Sequence, residues 1–382
     1  MNKASKKKKI VWQQYISIAF FILIGVACGI LMRKYMASVF AQEMSLWKKY
    51  LLLCGLILIV YLAIFVQAII HEAGHFLFGR LSGYKFSSFR IMNFIWVKEN
   101  NKLKFKRLTL VGTGGQCLME PPEMKNGKLP VALYNMGGSM MNILAGFIFL
   151  GVYALAGKVP FLSFTMSVFA IIGFASAIIN GIPMRLGIVD NDGYNAFELR
   201  KNKDAMQAFW VQLKTNEQIS KGVRLKDMPA EWFVVPTDDE MKNSMVAVVG
   251  VFACNRLMDE HNFDDADKLM AHLLDIDSGI VGLHRNLIIC DRLFCELIGE
   301  NRWDTVEVIL TNEQKKFMKS MKKFPTVLRT QYAYSLLSER DKSMANNVET
   351  QFNKCAKSYP YPSEIQAERE LIEIAKRRAC VQ

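Results

Sequence analysis

Long apolar stretches dominate the first half of the chain, whereas the second half is polar with scattered apolar positions. The apolar stretches cover residues 11–32, 51–79, 140–157 and 161–183. Each is close to the ~20 residues that a membrane-spanning helix needs. The pattern therefore predicts an α-helical multi-pass membrane protein with about four transmembrane helices. The second stretch is longer than one span requires, so either its helix tilts or its last turns face protein rather than lipid.

From about residue 196 onward, charged sequence with a helical period of apolar positions replaces these stretches. Breaks between helix pairs recur about every 40 residues, near residues 275–279, 322–325 and 359–362. The pattern predicts an all-α soluble C-terminal domain that is repeat-like and similar to tetratricopeptide repeats, although it lacks their signature. Such a domain either docks a cytoplasmic partner or only stabilises the membrane-embedded part.

The polar segment between the second and third apolar stretches is expected to form a cytoplasmic β-hairpin. Residues 89–97 and 103–110 interleave apolar and basic side chains, and Glu99-Asn100-Asn101 separates them. One interpretation is that the edge of the hairpin adds a strand of substrate. The other is that the hairpin only lies on the membrane surface.

Charge indicates how the chain is oriented. The basic run Lys6–Lys9 precedes the first apolar stretch, and the positive-inside rule therefore places the N-terminus in the cytoplasm. Four spans return the C-terminus to the same side, which predicts a multi-pass protein of the cell (plasma) membrane. The net charge of +13 is then assigned to loops and to contact with anionic lipid. No module that interleaves aromatic and basic residues indicates a nucleic-acid partner.

His71, Glu72 and His75 form a His-Glu-x-x-His pattern at the inner end of the second apolar stretch. Residues four apart share one face of a helix, so the two imidazoles can bind one metal ion while Glu72 lies beside them as a general base. Ionisable groups in an apolar helix are costly and are functional by default. The other three histidines of the chain lie far downstream in polar sequence. We interpret the pattern as two ligands of a zinc site rather than as a chance match.

A catalytic zinc site needs a third protein ligand and keeps one position open. Pro183 is expected to end the fourth apolar helix, and Asp190 and Asp192 follow it where the chain emerges from the membrane. The second apolar stretch emerges on the same side. Either aspartate can therefore reach His75.

These residues together resemble the site-2 protease family of intramembrane zinc metalloproteases. The family joins a His-Glu-x-x-His helix to a later Asn-x-x-Pro segment that ends in Asp-Gly, and this chain has Asn180-x-x-Pro183 with Asp192-Gly193. Gly138-x-x-x-Asn142 resembles a third family segment. The resemblance covers about residues 51–195. In one respect the chain departs from the family, because Asp192 follows Pro183 at a longer interval than in typical members.

The resemblance implies the roles of individual residues. Zn²⁺ would be held by His71, His75 and Asp192, with Asp190 as the alternative third ligand. Glu72 would act as the catalytic base. Asn142 and Asn180 would bind the backbone of an extended substrate, although both positions also suit polar residues at helix ends.

Two functions are compatible with these features of the sequence. The first is an intramembrane zinc metalloendopeptidase that cleaves single-pass membrane proteins, signal-peptide remnants or membrane-embedded peptide precursors near the cytoplasmic face. The second is a non-catalytic membrane adaptor on the same fold, which binds transmembrane segments and recruits a cytoplasmic partner through the C-terminal helices. The chain would comprise an N-terminal tail, anchor and loop (1–50), a metalloprotease core (51–195) and a cytoplasmic helical domain (196–382).

Overall fold

The structure is a computed structural model, which describes residues 12–39, 45–99, 102–110, 113–156, 159–185 and 190–381. The chain divides into two compact units, each made of two segments. The first unit contains Met1–Ser82 and Val131–Phe197, and the second contains Gly83–Pro130 and Glu198–Gln382. The basic run at residues 6–9, on which the predicted orientation depends, lies outside the described residues.

The first unit is built from long apolar helices. These are α1 (Trp12–Val39), α2 (Leu46–Leu81), α3 (Val131–Leu155) and α4 (Pro160–Gly181), and α5 (Asp192–Lys201) begins in the same unit. The first four contain segments that are long and apolar enough to cross a membrane. This finding agrees with the predicted multi-pass helical architecture. Helix α3 begins earlier than the apolar pattern indicated, because its first turns carry buried small and polar residues that hydropathy does not mark.

Helices α2 and α3 pack backbone to backbone at Gly74 and Gly137. A Cβ atom added to Gly137 would lie 2.7 Å from the Gly74 carbonyl oxygen, which is closer than real Cβ atoms approach. Small residues at a crossing let two membrane helices approach this closely and gain van der Waals contact. The contact lies one turn beyond His71 on α2, so it fixes the position of α3 along the axis of α2, beside the histidine pattern.

The second unit contains a four-stranded antiparallel sheet with the order β3-β2-β1-β4. Its strands are β1 (Lys85–Ile91), β2 (Phe94–Glu99), β3 (Lys102–Arg107) and β4 (Gly115–Glu120). The predicted hairpin is present as β2 and β3. Its first strand was expected to run unbroken over residues 89–97, but a two-residue turn at Met92 and Asn93 divides that segment between β1 and β2. Met92 adopts a left-handed backbone (φ 53°), which sequence periodicity does not disclose.

Helices make up the remainder of the second unit. They are α6 (Lys203–Ser220), α7 (Ser244–Asp259), α8 (Phe263–Asp275), α9 (Gly282–Ile298), α10 (Trp303–Ile309), α11 (Asn312–Ser320), α12 (Pro325–Ala333), α13 (Lys342–Ser358) and α14 (Pro362–Val381). The apolar face of α8 is buried at Ala266, Met270 and Leu273. A repeat-like relation among these helices stays a prediction.

The sheet shares its core with these helices. Ile95 and Val97 of β2 belong to the same buried cluster as Leu293 of α9 and Leu328 of α12. The strands therefore pack with the C-terminal helices, although they lie within the 51–195 segment that was predicted to form the metalloprotease core. The predicted division of the chain into functional segments stays a prediction.

Two arginines of this unit are buried together with carboxylates. Arg329 of α12 donates to Glu368 (2.8 Å) and to Asp291. Arg224 donates to Asp259 (2.9 Å) and to Glu370 (2.9 Å). A buried charge that loses its partner is strongly destabilising, so these pairs constrain how α9, α12 and α14 pack.

The α2–α3 contact predicts an asymmetry between two glycines of α3. Gly137→Val places three carbons against the backbone of α2, whereas Gly151 has no other heavy atom within 4 Å of its Cβ position. Overpacking typically costs about 1–3 kcal/mol, and more where backbone cannot move. We expect Gly137→Val to lower the thermal unfolding temperature in detergent, and Gly151→Val to leave it near the wild-type value. Equal unfolding temperatures for the two variants would contradict the close packing.

Candidate metal centre

The two histidines of the predicted site lie on one face of α2, as their spacing requires. His71, Glu72 and His75 are all buried near the end of this helix. The Nε2 atoms of the two imidazoles lie 3.2 Å apart. Gly138 of α3 makes room for the first ring, because a Cβ atom there would lie 2.5 Å from Cε1 of His71.

Asp192 is the first residue of α5, and its neighbours hold it in place. Asn191 precedes it as an N-terminal cap whose Oδ1 accepts from the backbone N–H groups of Tyr194 (2.9 Å) and Met184 (3.0 Å). The amide nitrogen of Asn191 donates to the carbonyl oxygens of Ile179 and Ile182 (2.6 Å each) at the end of α4. These bonds tie the start of α5 to the end of α4.

The longer interval between Pro183 and Asp192 is taken up by a loop that closes on itself. Arg185 and Asp190 form an antiparallel bridge, and the backbone N–H of Asn191 donates to the Met184 carbonyl at 3.3 Å. Residues 186–189, within the loop, lie outside the described residues. The extra residues therefore leave and rejoin the chain at nearly the same place, and they do not move Asp192 away from α4.

Three ligand atoms converge from these elements. The Asp192 Oδ2 atom lies 2.9 Å from Nε2 of His71 and 3.3 Å from Nε2 of His75. Two ligands of a tetrahedral zinc ion, each at about 2.0–2.1 Å, lie about 3.3 Å apart. The spacing and the two-nitrogen, one-oxygen donor set fit a catalytic zinc site with one open position.

Both imidazoles are oriented by hydrogen bonds at their other nitrogen. His75 Nδ1 donates to the Tyr134 carbonyl oxygen, and His71 Nδ1 donates to Oδ1 of Asn142, each at 2.8 Å. A carbonyl oxygen can only accept, so Nδ1 carries a proton in each ring, which leaves the Nε2 lone pair for a metal ion at the centre. Such partners commonly fix the tautomer of a metal-binding histidine.

The Asn142 side chain continues this network into the core. Its amide nitrogen donates to the backbone oxygen (2.9 Å) and to the side-chain Oε1 (2.7 Å) of Gln67. Gln67 in turn donates to the carbonyl oxygen of Phe169 on α4 at 2.9 Å. Gln67 and Asn142 are both fully buried. The chain of bonds therefore connects α2, α3 and α4 and ends on the imidazole ring of His71.

The structure brings only some of the predicted site residues together. Asp192 joins the two histidines, whereas the Asp190 carboxylate lies 3.4 Å from Nε of Arg185 and is outside the group. Asn180 is half-buried and donates to the Ser176 carbonyl oxygen of its own helix at 2.9 Å. Substrate binding by Asn142 and Asn180 stays a prediction, and in this arrangement the Asn142 side chain is occupied within the core.

The charge of Asp192 matches its position. Burial alone would raise the pKa of its carboxyl group, but His75 and His71, when protonated, hold that pKa below its usual range. The carboxylate is therefore ionised at neutral pH, which is the form that binds metal.

Sequence reasoning missed the residues that support the ligands. Asn191 was detectable, because asparagine directly before a helix-starting Asp-Gly is a common N-cap. Gln67 lies one turn before His71, and a polar residue in an apolar helix is itself a signal. Tyr134 contacts His75 through its ring as well as its backbone oxygen, but the backbone acceptor depends on the position of α3 and not on the residue type, so the sequence does not mark it.

A model of a known protein family matches most of the chain. Residues 59–357 match the model of peptidase family M50, and the matched range contains the histidine pattern and Asp192. Searches among curated proteins and among solved structures find no match. The family match covers well over half of the chain. The chain therefore belongs to peptidase family M50, the site-2 protease family of intramembrane zinc metalloproteases.

Proposed function

We propose that this protein is a zinc endopeptidase that cleaves transmembrane segments of single-pass membrane proteins, signal-peptide remnants or membrane-embedded peptide precursors. One observation carries the proposal: the ligand atoms of His71, His75 and Asp192 lie within 4.8 Å of one another at the end of an apolar helix. When bound there, zinc supplies the Lewis-acid chemistry that peptide hydrolysis needs.

The remaining steps belong to side chains of the chain. Glu72 is buried next to His71, where its carboxylate would take a proton from the attacking water and return it to the leaving amine. The hydrogen bonds at Nδ1 of both histidines keep their Nε2 lone pairs directed at the centre. Asp192 contributes the negative charge of the ligand set.

The form of the substrate follows from backbone chemistry. A transmembrane helix uses every peptide group in its own hydrogen bonds, so the segment must unwind before a carbonyl can be attacked. Asn180 and the edge strand β3 are candidates for holding such an extended segment. We further propose that cleavage occurs near the cytoplasmic face of the plasma membrane and that both termini of the chain are cytoplasmic. The C-terminal helices would bind a cytoplasmic partner.

The displaced aspartate is a feature of the sequence that mildly favours the adaptor hypothesis. The closed loop between Met184 and Asn191 accounts for that displacement without loss of the ligand. No other observation favours an adaptor, and it becomes the conclusion only if the experiments below find no metal.

Zinc content tests the ligand set without a known substrate. We expect about one zinc per chain in detergent-purified wild type, as in other catalytic sites with three protein ligands. His75→Ala and Asp192→Ala should lose it because each removes a ligand. Asp190→Ala is the matched control and should retain the metal. Elemental analysis of the four folded proteins measures the zinc bound per chain. A wild-type protein that holds no zinc even after zinc is added would favour the adaptor.

Glu72→Gln separates catalysis from metal binding. The amide keeps the size of the side chain but cannot accept a proton, so general-base assistance worth about 10²–10⁴-fold in rate is lost. We expect unchanged zinc content and loss of cleavage of a membrane-embedded reporter peptide. Cleavage at the wild-type rate would exclude Glu72 as the base.

The Gln67–Asn142–His71 chain predicts that Asn142 positions a ligand. Asn142→Ala leaves the His71 Nδ1–H group without its acceptor, and loss of such a partner typically lowers metal affinity about 10–100-fold. Gln67→Leu should weaken zinc binding in the same direction. Asn180→Ala is outside this network and should leave it unchanged. Competition with a fluorescent zinc chelator measures these affinities, and a wild-type affinity in Asn142→Ala would restrict that residue to substrate binding.

A further inference from the structure

A cavity lies in the second, C-terminal unit, where the sheet of that unit meets its helices. It encloses about 430 Å³. The sheet contributes residues from the β1–β2 turn and from the end of β3, and the helices contribute the segment before α12 and the last turns of α13. Its lining includes Arg107, Leu108, Lys323, Leu328, Lys354 and Tyr359.

The charge of this lining has one sign. Arg107, Lys322, Lys323 and Lys354 line the cavity, and no aspartate or glutamate in the described part of the chain does. Among the described residues, none of these four cations forms an ion pair. Residues 315–323 contain five lysines and no acidic residue, so the neighbouring sequence adds to the positive potential.

Several buried or half-buried cations elsewhere in the same unit do have carboxylate partners. Arg329 and Arg224 are each bound to two acidic residues, and Arg292 lies 2.8 Å from Asp267. Gathering unpaired cations around a concave surface costs free energy through mutual repulsion, and a low-dielectric wall concentrates their field. Binding of an anion would remove that repulsion.

The rest of the lining indicates the kind of anion. Buried Leu108, Leu328 and Tyr359 supply apolar wall, while Thr109 and Ser358 supply hydroxyl groups. Lysine is a common point-charge ligand of phosphate. A volume of this size is in the range of small-molecule pockets and excludes a folded partner.

We infer that this cavity binds a small ligand with a multivalent phosphate group and an organic part. Lys323 and Lys354 bind the phosphates, and the leucines contact the organic part. Both a soluble phosphate ester and a lipid headgroup carry this chemistry. Because the ligand bridges sheet and helices, its binding stabilises the C-terminal unit.

The test uses inorganic tripolyphosphate and the full chain in nanodiscs of neutral phosphatidylcholine. The protein is first dialysed against chelator, so that removal of metal from the catalytic site adds no heat. Calorimetric titration at low salt compares wild type with Lys323→Glu, Lys354→Glu and Lys357→Glu. Lys357 is the matched control, because it is an exposed lysine of the same helix as Lys354 but does not line the cavity.

We expect about one tripolyphosphate per chain, with affinity at least about tenfold lower in Lys323→Glu and Lys354→Glu and within about threefold of wild type in Lys357→Glu. Higher salt should weaken binding, since exposed charges are screened. Absence of binding at millimolar tripolyphosphate would overturn the inference. An equal loss in Lys357→Glu would also overturn it, because the attraction would then be diffuse. Unchanged unfolding temperatures in all variants confirm that the fold is retained.

Titrations in nanodiscs that contain anionic phosphatidylglycerol, compared with those in neutral nanodiscs, identify the source of the phosphate. If anionic phosphatidylglycerol in the disc leaves tripolyphosphate binding unchanged, the cavity takes a soluble ligand. If anionic lipid lowers the affinity of wild type by about tenfold or more but leaves the residual affinity of Lys354→Glu unchanged, a headgroup occupies the cavity. Both results support the site.

Discussion

The membrane-embedded part of this protein depends on satisfying polar groups where water is absent. A donor or acceptor buried in an apolar helix costs free energy unless it finds a partner, and the bilayer offers none. The histidine pattern introduces two imidazoles into such a helix. Tyr134 and Asn142 satisfy their inner nitrogens, and Gln67 then satisfies Asn142. The positions of α3 and α4 relative to α2 follow from this sequence of requirements.

Local patterns in the sequence predicted the parts of this arrangement that local rules determine. The spacing of His71 and His75 fixes one helical face whatever the tertiary structure, and the apolar stretches fix the long helices. The third ligand was assigned to Asp192 by resemblance to the family, because the spacing alone left Asp190 open and the geometry that separates them depends on a loop that closes across the chain. The hydrogen bonds that close this loop are a tertiary property, and the N-cap residue Asn191 is the one local signal of them that we find in the sequence.

Tertiary context also explains the two features that sequence reasoning did not reach. Residues 89–97 are apolar at every position except Arg90 and Asn93, which is compatible with one strand, yet the left-handed backbone at Met92 reverses the chain within it. The burial of Ile95 and Val97 depends on helices that follow nearly two hundred residues later. Asn142 matched a family segment, but its partner Gln67 lies 75 residues earlier in the chain, so its occupied side chain could not be foreseen.

The contact between Gly74 and Gly137 has a mechanical consequence. Where two backbones meet this closely, few side-chain atoms lie between them that could change rotamer, so we expect α2 and α3 to move together. The histidines would then travel with α3 in an opening motion. Parting these two helices would break the contact, so we expect the passage to the centre to open on another side of α2, through displacement of α1, α4 or the segment that carries Asp192.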